Sequence, residues 1–288
     1  MVSGQADGGG KEFQRVADAL HTQLTDGTYR VGDLLPVQRV LAERFGVSRD
    51  TVQRVLRELA DEGWIHSRQG SGTRVVKTQR IHSPDAQSAR AGKVTLGPLI
   101  AGAFEAPVVT LDVFTLTSQS LDAHIHLQAV RVRAGEIAPQ RITVRLLVPS
   151  EEVRLAYPRH ITDDADPRPL QRLHAISRRH LASLGSALFD LRTEGLVPQV
   201  DVEVKHTPLT PSFKLYLLNG TAALHGLYEV VERPIALDDG EVIDALDVLG
   251  LGATLFHYVK DQEAGSQGSL FVDAARSWFD SHWNLLST

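Results

Sequence analysis

Through the first quarter of the chain, apolar residues recur at three- and four-residue intervals: Phe13, Val16, Leu20 and Leu24, then Val40, Leu41 and Phe45, then Val52, Val55, Leu56 and Leu59. Such spacing gathers each set on one face of a helix, so three helices are predicted. The first ends near Asp26-Gly27 and the second opens at Leu35-Pro36, where proline suits a first helical turn. Gly46 then stops the second helix, and Ser48 can cap the third by accepting a free backbone N–H of its first turn. Behind them, Trp64-Ile65-His66-Ser67 and Thr73-Arg74-Val75-Val76 are short strands around the glycine turn Arg68-Gln69-Gly70-Ser71-Gly72. Three helices followed by a two-stranded wing make an α+β winged helix-turn-helix.

The third helix has a polar outer face. Arg49, Asp50, Gln53, Arg54 and Arg57 lie off its apolar stripe. Arginine suits guanine edges and phosphates, and glutamine suits adenine, so a helix of this kind is equipped for the major groove. Arg49, Asp50 and Gln53 are the base-reading candidates, with Ser48, Thr51 and Arg54 beside them at the same helix start. Gln69, Gly70 and Gly72 form a wing tip that a phosphate or the minor groove can approach closely. Arg44 and Arg57 read as ordinary solvated helix charges.

Later in the chain the pattern changes. Residues 108–114, 141–149 and 200–205 are β-branched runs of strand length, and Leu121 to Arg133 and Leu170 to Leu191 are helical stretches between them. That alternation predicts an α/β domain. Runs at 213–218, 227–231 and 246–249 extend its sheet, and a last helix from Leu270 to Leu285 closes the chain with Phe271, Trp278, Phe279 and Trp283. Residues 78–92 are polar, with Pro, Gly and Ser and no sustained apolar period, as in a linker. The expected organisation is a flexible tail over 1–10, the winged helix over 11–77, the linker over 78–92 and an α/β effector and dimerisation domain over 93–288.

Composition narrows the class. With 42% hydrophobic and 23% charged residues the chain is of globular type, and the absence of cysteine rules out disulfides and thiolate metal sites. Neither a signal-type apolar segment nor an apolar run of membrane length appears, so a cytoplasmic protein with no membrane partner is expected. The net charge of −5 is unevenly spread: residues 11–77 hold 11 Lys and Arg against 9 Asp and Glu. An excess that small implies DNA affinity drawn from a dimer's doubled contacts and sensitive to salt. His124 and His126 fall on different sides of a helix, and His174 and His180 have no diagnostic spacing, so no metal is expected. No phosphate loop, dinucleotide fingerprint or nucleophile elbow occurs, and no cofactor is implied.

Three segments carry a family resemblance: Gly27-Thr-Tyr-Arg-Val-Gly32-Asp-Leu-Leu-Pro36, Leu41-Ala42-Glu-Arg-Phe-Gly-Val-Ser-Arg49-Asp-Thr-Val, and Gly70-Ser-Gly-Thr. Over about Phe13 to Val76 the chain resembles the GntR family of bacterial transcription regulators. The resemblance implies DNA contacts from Arg39, Arg49 and Gly72. It departs from the family at Gln53, where an arginine is usual and Arg54 stands beside it, and at Val37-Gln38, which replaces the common Ser-Glu. A second likeness is local. Ser212-Phe213-Lys214 through Asn219 resembles the strand bearing the His-x-Lys-x-x-x-x-Asp motif of the phospholipase D superfamily, with Ser212 for the histidine and Asn219 for the aspartate. A serine without a positioned base does not replace imidazole as a nucleophile, which implies a noncatalytic domain such as TrmB-type regulators carry. Together these imply a non-enzymatic repressor that binds an inverted-repeat double-stranded operator as a homodimer. Its effector, a sugar, phosphate ester or nucleotide, is expected at Lys214 and Asn219. The alternatives are a phospholipase D-class phosphodiesterase with a DNA-binding head, and a DNA binder controlled by a protein partner.

Overall fold

A computed structural model describes residues 12–13, 15–17, 19–20, 23–24, 28–30, 32–61, 64–68, 72–75, 81–82, 96–237, 241–248 and 254–288. The chain divides into two compact units, residues 1–79 and 80–288.

In the first unit, helical residues within 12–24 precede α1 (Gln38–Phe45) and α2 (Arg49–Asp61), and β1 (Ile65–Arg68) pairs antiparallel with β2 (Gly72–Val75). The predicted apolar stripes form its core, with Val16, Leu20, Leu24, Leu41, Val52, Val55 and Leu59 fully buried. Gly46 ends α1 in the left-handed region at φ 65°, a conformation cheap only for glycine. The segment before α1 is more ordered than its sequence suggests. Gly32 N–H donates to Val75 O, Val75 N–H to Asp33 O, and Leu35 N–H to Thr73 O, so residues 32–35 line the wing like a third strand.

The second unit is an α/β domain with a mixed seven-stranded sheet in the order β3-β12-β9-β8-β4-β5-β7. Its strands are β3 (Ile81–His82), β4 (Val108–Phe114), β5 (Arg141–Pro149), β7 (Gln199–Thr207), β8 (Phe213–Leu218), β9 (Ala222–Leu227) and β12 (Leu255–Val259). β4, β5 and β7 run parallel, joined by the crossover helices α4 (Gln119–Arg133) and α5 (Arg168–Thr193), while β8, β9 and β12 continue antiparallel. Together with α3 (Leu96–Phe104), these helices cover one face over a core that includes Ile100, Phe104, Leu111, Val144 and Leu188. α6 (Gln267–Leu285) covers part of the other face through Val272, Phe279 and Trp283. A smaller sheet of β10 (Val230–Ala236), β11 (Val242–Val248) and β6 (Arg159–His160) is built from two insertions, after β5 and after β9, strands whose C-terminal ends lie at the same end of the main sheet.

Three differences from the sequence expectations follow from strand pairing within the sheets. Leu227 to Val231 is not one strand: Leu227 ends β9 in the large sheet and Val230 begins β10 in the small one. β9 itself, Ala-Ala-Leu-His-Gly-Leu, has little strand propensity and forms because β8 and β12 pair with it on both sides. β3 lies within the stretch expected to be linker and pairs in parallel with β12, so that part of it belongs to the sheet. The expected flexible tail, residues 1–10, falls outside the described residues.

Candidate functional site

α2 presents its N-terminal end because of the cap that starts it. Ser48 Oγ accepts the Thr51 N–H at 3.1 Å and lies 2.9 Å from Thr51 Oγ1. Both hydroxyls are therefore engaged in starting the helix, and Thr51 is itself buried. Behind them Val52, Val55 and Leu59 are buried, while Arg49, Asp50, Gln53 and Arg57 are exposed. The residues expected to read bases thus stand in solvent on a fixed helix. Arg54 is exposed but lies over the Phe13 ring, 4.9 Å from guanidinium carbon to ring centroid, and this cation–π contact braces α2 against the first helix. Arg39 is exposed on α1 and pairs with Glu43 at 2.7 Å, an i,i+4 contact weak enough for a phosphate to replace. α1 starts at Val37 without a side-chain cap. On the wing, Gly72 has φ 80° and backs onto Leu34, whereas Gln69 and Gly70 lie outside the described residues.

In the second unit the structure does not bring Lys214 and Asn219 together. Lys214 is the second residue of β8 and Asn219 follows its last, five residues on, so the backbone positions stand roughly 16 Å apart at the rise of an extended strand. Asn219 is occupied by the fold: its Oδ1 accepts Thr110 N–H at 2.8 Å and its Nδ2 donates to Ala103 O at 2.9 Å. Lys214 is 2% exposed, and burial pushes its ammonium down to about 7. On the same face, Tyr228 OH lies 3.1 Å from Thr115 Oγ1 and accepts Leu116 N–H at 3.0 Å. Burial also raises the Tyr216 and Tyr228 phenols.

A second polar cluster joins α4 to α5. Asp122 Oδ2 lies 2.7 Å from His180 Nδ1, and His126 Nε2 lies 2.8 Å from Ser183 Oγ and 3.4 Å from Asp122 Oδ1. Burial works to raise the Asp122 carboxyl, but the hydrogen bonds of His126 and His180 outweigh it and the net shift is downward. Serine, histidine and aspartate meet here, yet serine and aspartate face the same ring nitrogen. A relay needs one on each nitrogen, so the cluster is a helix–helix clasp and not a nucleophile. His124 packs against Gly97 of α3, away from His126. Among the described residues no group of three His, Cys, Asp or Glu could hold a metal ion.

The opposite sheet face carries features that the sequence pattern did not single out. Arg145 grips Asp112 with two hydrogen bonds, at 2.6 and 2.8 Å, reaches Asp280 at 2.9 Å, and lies over the rings of Phe279 and Trp283. The Asp112 contact leads in raising its pKa. Beside it a cavity of about 110 Å³ opens between β4, β5, β8 and α6, with Thr110, Thr143, Leu217, Val272 and Arg276 in its wall. Nothing in linear spacing links residues 110, 143 and 276, and only the fold assembles them.

Comparison with known proteins agrees with this geometry for the first unit. Residues 13–75 match the family described as bacterial regulatory proteins, gntR family. They form a GntR-family winged helix-turn-helix domain, followed by an α/β domain with a mixed sheet. The chain is 40% identical over 70 residues to the Mannosyl-D-glycerate transport/metabolism system repressor MngR of Escherichia coli, covering 24% of this chain and 29% of that protein. It is 37% identical over 76 residues to the Exu regulon transcriptional regulator of the same species, covering 26% of this chain and 30% of that protein. The matched region thus spans less than a third of either relative. Among solved structures, TrmBL2, an archaeal chromatin protein, aligns over 95% of this chain and 99% of its own at 12% identity with a TM-score of 0.28. No helix among the described residues is long and apolar enough to cross a membrane.

Proposed function

We propose that this protein is a transcription regulator of the GntR type, a cytoplasmic repressor that binds an inverted-repeat operator as a homodimer and is released by a small molecule held in its second unit. The observation that carries the reading is the start of α2, where Arg49, Asp50 and Gln53 stand exposed on a helix whose cap and buried stripe fix their direction. Arg49 and Gln53 would read base edges, Arg39 would exchange Glu43 for a phosphate, and the Gly72 wing would lie along the backbone. The name of MngR describes repression of a mannosyl-D-glycerate transport and metabolism system, which supports a small-molecule effector. A dimer is proposed because one small winged helix contacts too few bases for useful specificity. Lys214 remains within the effector proposal through its buried charge, whereas Asn219 is better explained as the anchor of its turn.

The test is operator binding by the full chain, using sites selected from random DNA. Arg49→Ala should weaken the selected site by about 1–3 kcal/mol while leaving nonspecific DNA nearly unaffected, as expected for a lost base contact. Equal loss on both kinds of DNA would assign Arg49 to the phosphate backbone, and no loss would remove it from the interface.

A further inference from the structure

We infer that the cavity beside Arg276 is a binding site for a small monocarboxylate bearing a hydroxyl or keto group. It has a cation to spare. The Arg276 guanidinium is exposed, and among the described residues no acid pairs with it. The other cation in the wall is already matched, because Arg145 is held by Asp112 through two hydrogen bonds and by Asp280 through a third. Arg276 is thus the one cation of the wall left to meet a ligand, and with the Asp112 and Asp280 carboxylates already at Arg145 the site suits a monoanion better than a phosphate dianion.

The rest of the wall specifies the ligand further. Thr110 and Thr143 are register partners on β4 and β5, and among the described residues neither hydroxyl is engaged. Two adjacent hydroxyls can donate to and accept from a ligand hydroxyl or carbonyl. Leu217 and Val272 are buried and offer apolar contact to a short carbon skeleton. The cavity, of about 110 Å³, has room for a molecule of a few carbons. Gly220, at φ 65°, keeps the rim open: a Cβ there would stand 3.2 Å from the Arg276 guanidinium. This names an effector class for the regulator proposed above, at a site on the sheet face opposite Lys214, and it rests on that reading only for its consequence on DNA.

The experiment is calorimetric titration of the full chain with L-lactate, propionate, 1,2-propanediol and inorganic phosphate, repeated with operator bound. Lactate should saturate one site per chain, propionate should bind more weakly for want of the hydroxyl, propanediol should not bind, and phosphate should trail lactate. Arg276→Gln, at an exposed position, should weaken lactate by about tenfold to a hundredfold, the loss of a charge-assisted hydrogen bond. Thr143→Val should narrow the gap between lactate and propionate while leaving propionate unchanged. No saturable lactate binding, binding undiminished in Arg276→Gln, or phosphate preferred to lactate would each overturn the site. Lactate that binds through Arg276 yet leaves operator affinity unchanged upholds the site and refutes its role as effector. Absent lactate binding with operator binding intact rejects the site and leaves the DNA reader standing.

Discussion

Lys214 shows how far a residue's chemistry departs from its type once the chain has folded. A free lysine ammonium titrates near ~10.4, and burial brings this one to about 7. The folded value lies below the unfolded one, so folding releases a proton between those limits. The stability contribution is therefore poorest and flat below about 7, and it improves as pH climbs to ~10. Relative to Lys214→Met, the wild type should gain a few kcal/mol across that window. Thermal melts of both proteins at about pH 7 and about pH 9.5 measure it, and parallel behaviour would place the ammonium in contact with water. Asn219 is the opposite case. Asn-Gly is recognisable in sequence as a turn, and it forms one, with Asn219 at φ 50° and Gly220 at φ 65°. What linear spacing could not reveal is that the Asn219 amide bonds to Thr110 and Ala103, partners more than a hundred residues away.

Among the elements, α6 is fixed at its start by a cap and a close backbone contact. Its N-cap Ser266 accepts the Ser269 N–H at 3.2 Å, and Gly268 lies so near β12 that an added Cβ would fall onto the Val259 carbonyl oxygen. By helix propensity alone, Gly268→Ala should stabilise by up to about 1 kcal/mol. The contact is with backbone, which cannot swing aside as a side chain would, so steric displacement should win and cost about 1–3 kcal/mol. Urea unfolding decides the sign, and a more stable Gly268→Ala protein would mean that α6 can slide without loss. β9 makes a related point: a Cβ on Gly226 would meet Leu255 at 2.5 Å, so glycine there permits close packing against β12.

At the scale of the whole molecule, charge is arranged against nonspecific DNA binding. Residues 11–77 carry only a small positive excess within a chain of net charge −5. Operator binding should therefore fall steeply with salt, with a log–log slope of about −0.9 for each phosphate neutralised. Anisotropy measured from low to moderate salt checks this. A flat profile would remove Arg39 from phosphate contact.

The first unit was legible because its signals are local: a 3.6-residue period, a glycine stop, a serine cap and a glycine wing each act within a few residues. The crossover strands and helices of the second unit were legible for the same reason. The order of the seven strands, the splitting of 227–231 between two sheets, and the recruitment of residues 81–82 into β12's neighbour depend on pairings distant in sequence, and propensity does not encode them. Candidate chemistry followed the same division. Arg49, Asp50 and Gln53 share one helix and could be found by counting. Arg276, Thr110 and Thr143 come from one helix and two strands, so their meeting is a property of the sheet and the helix laid across it.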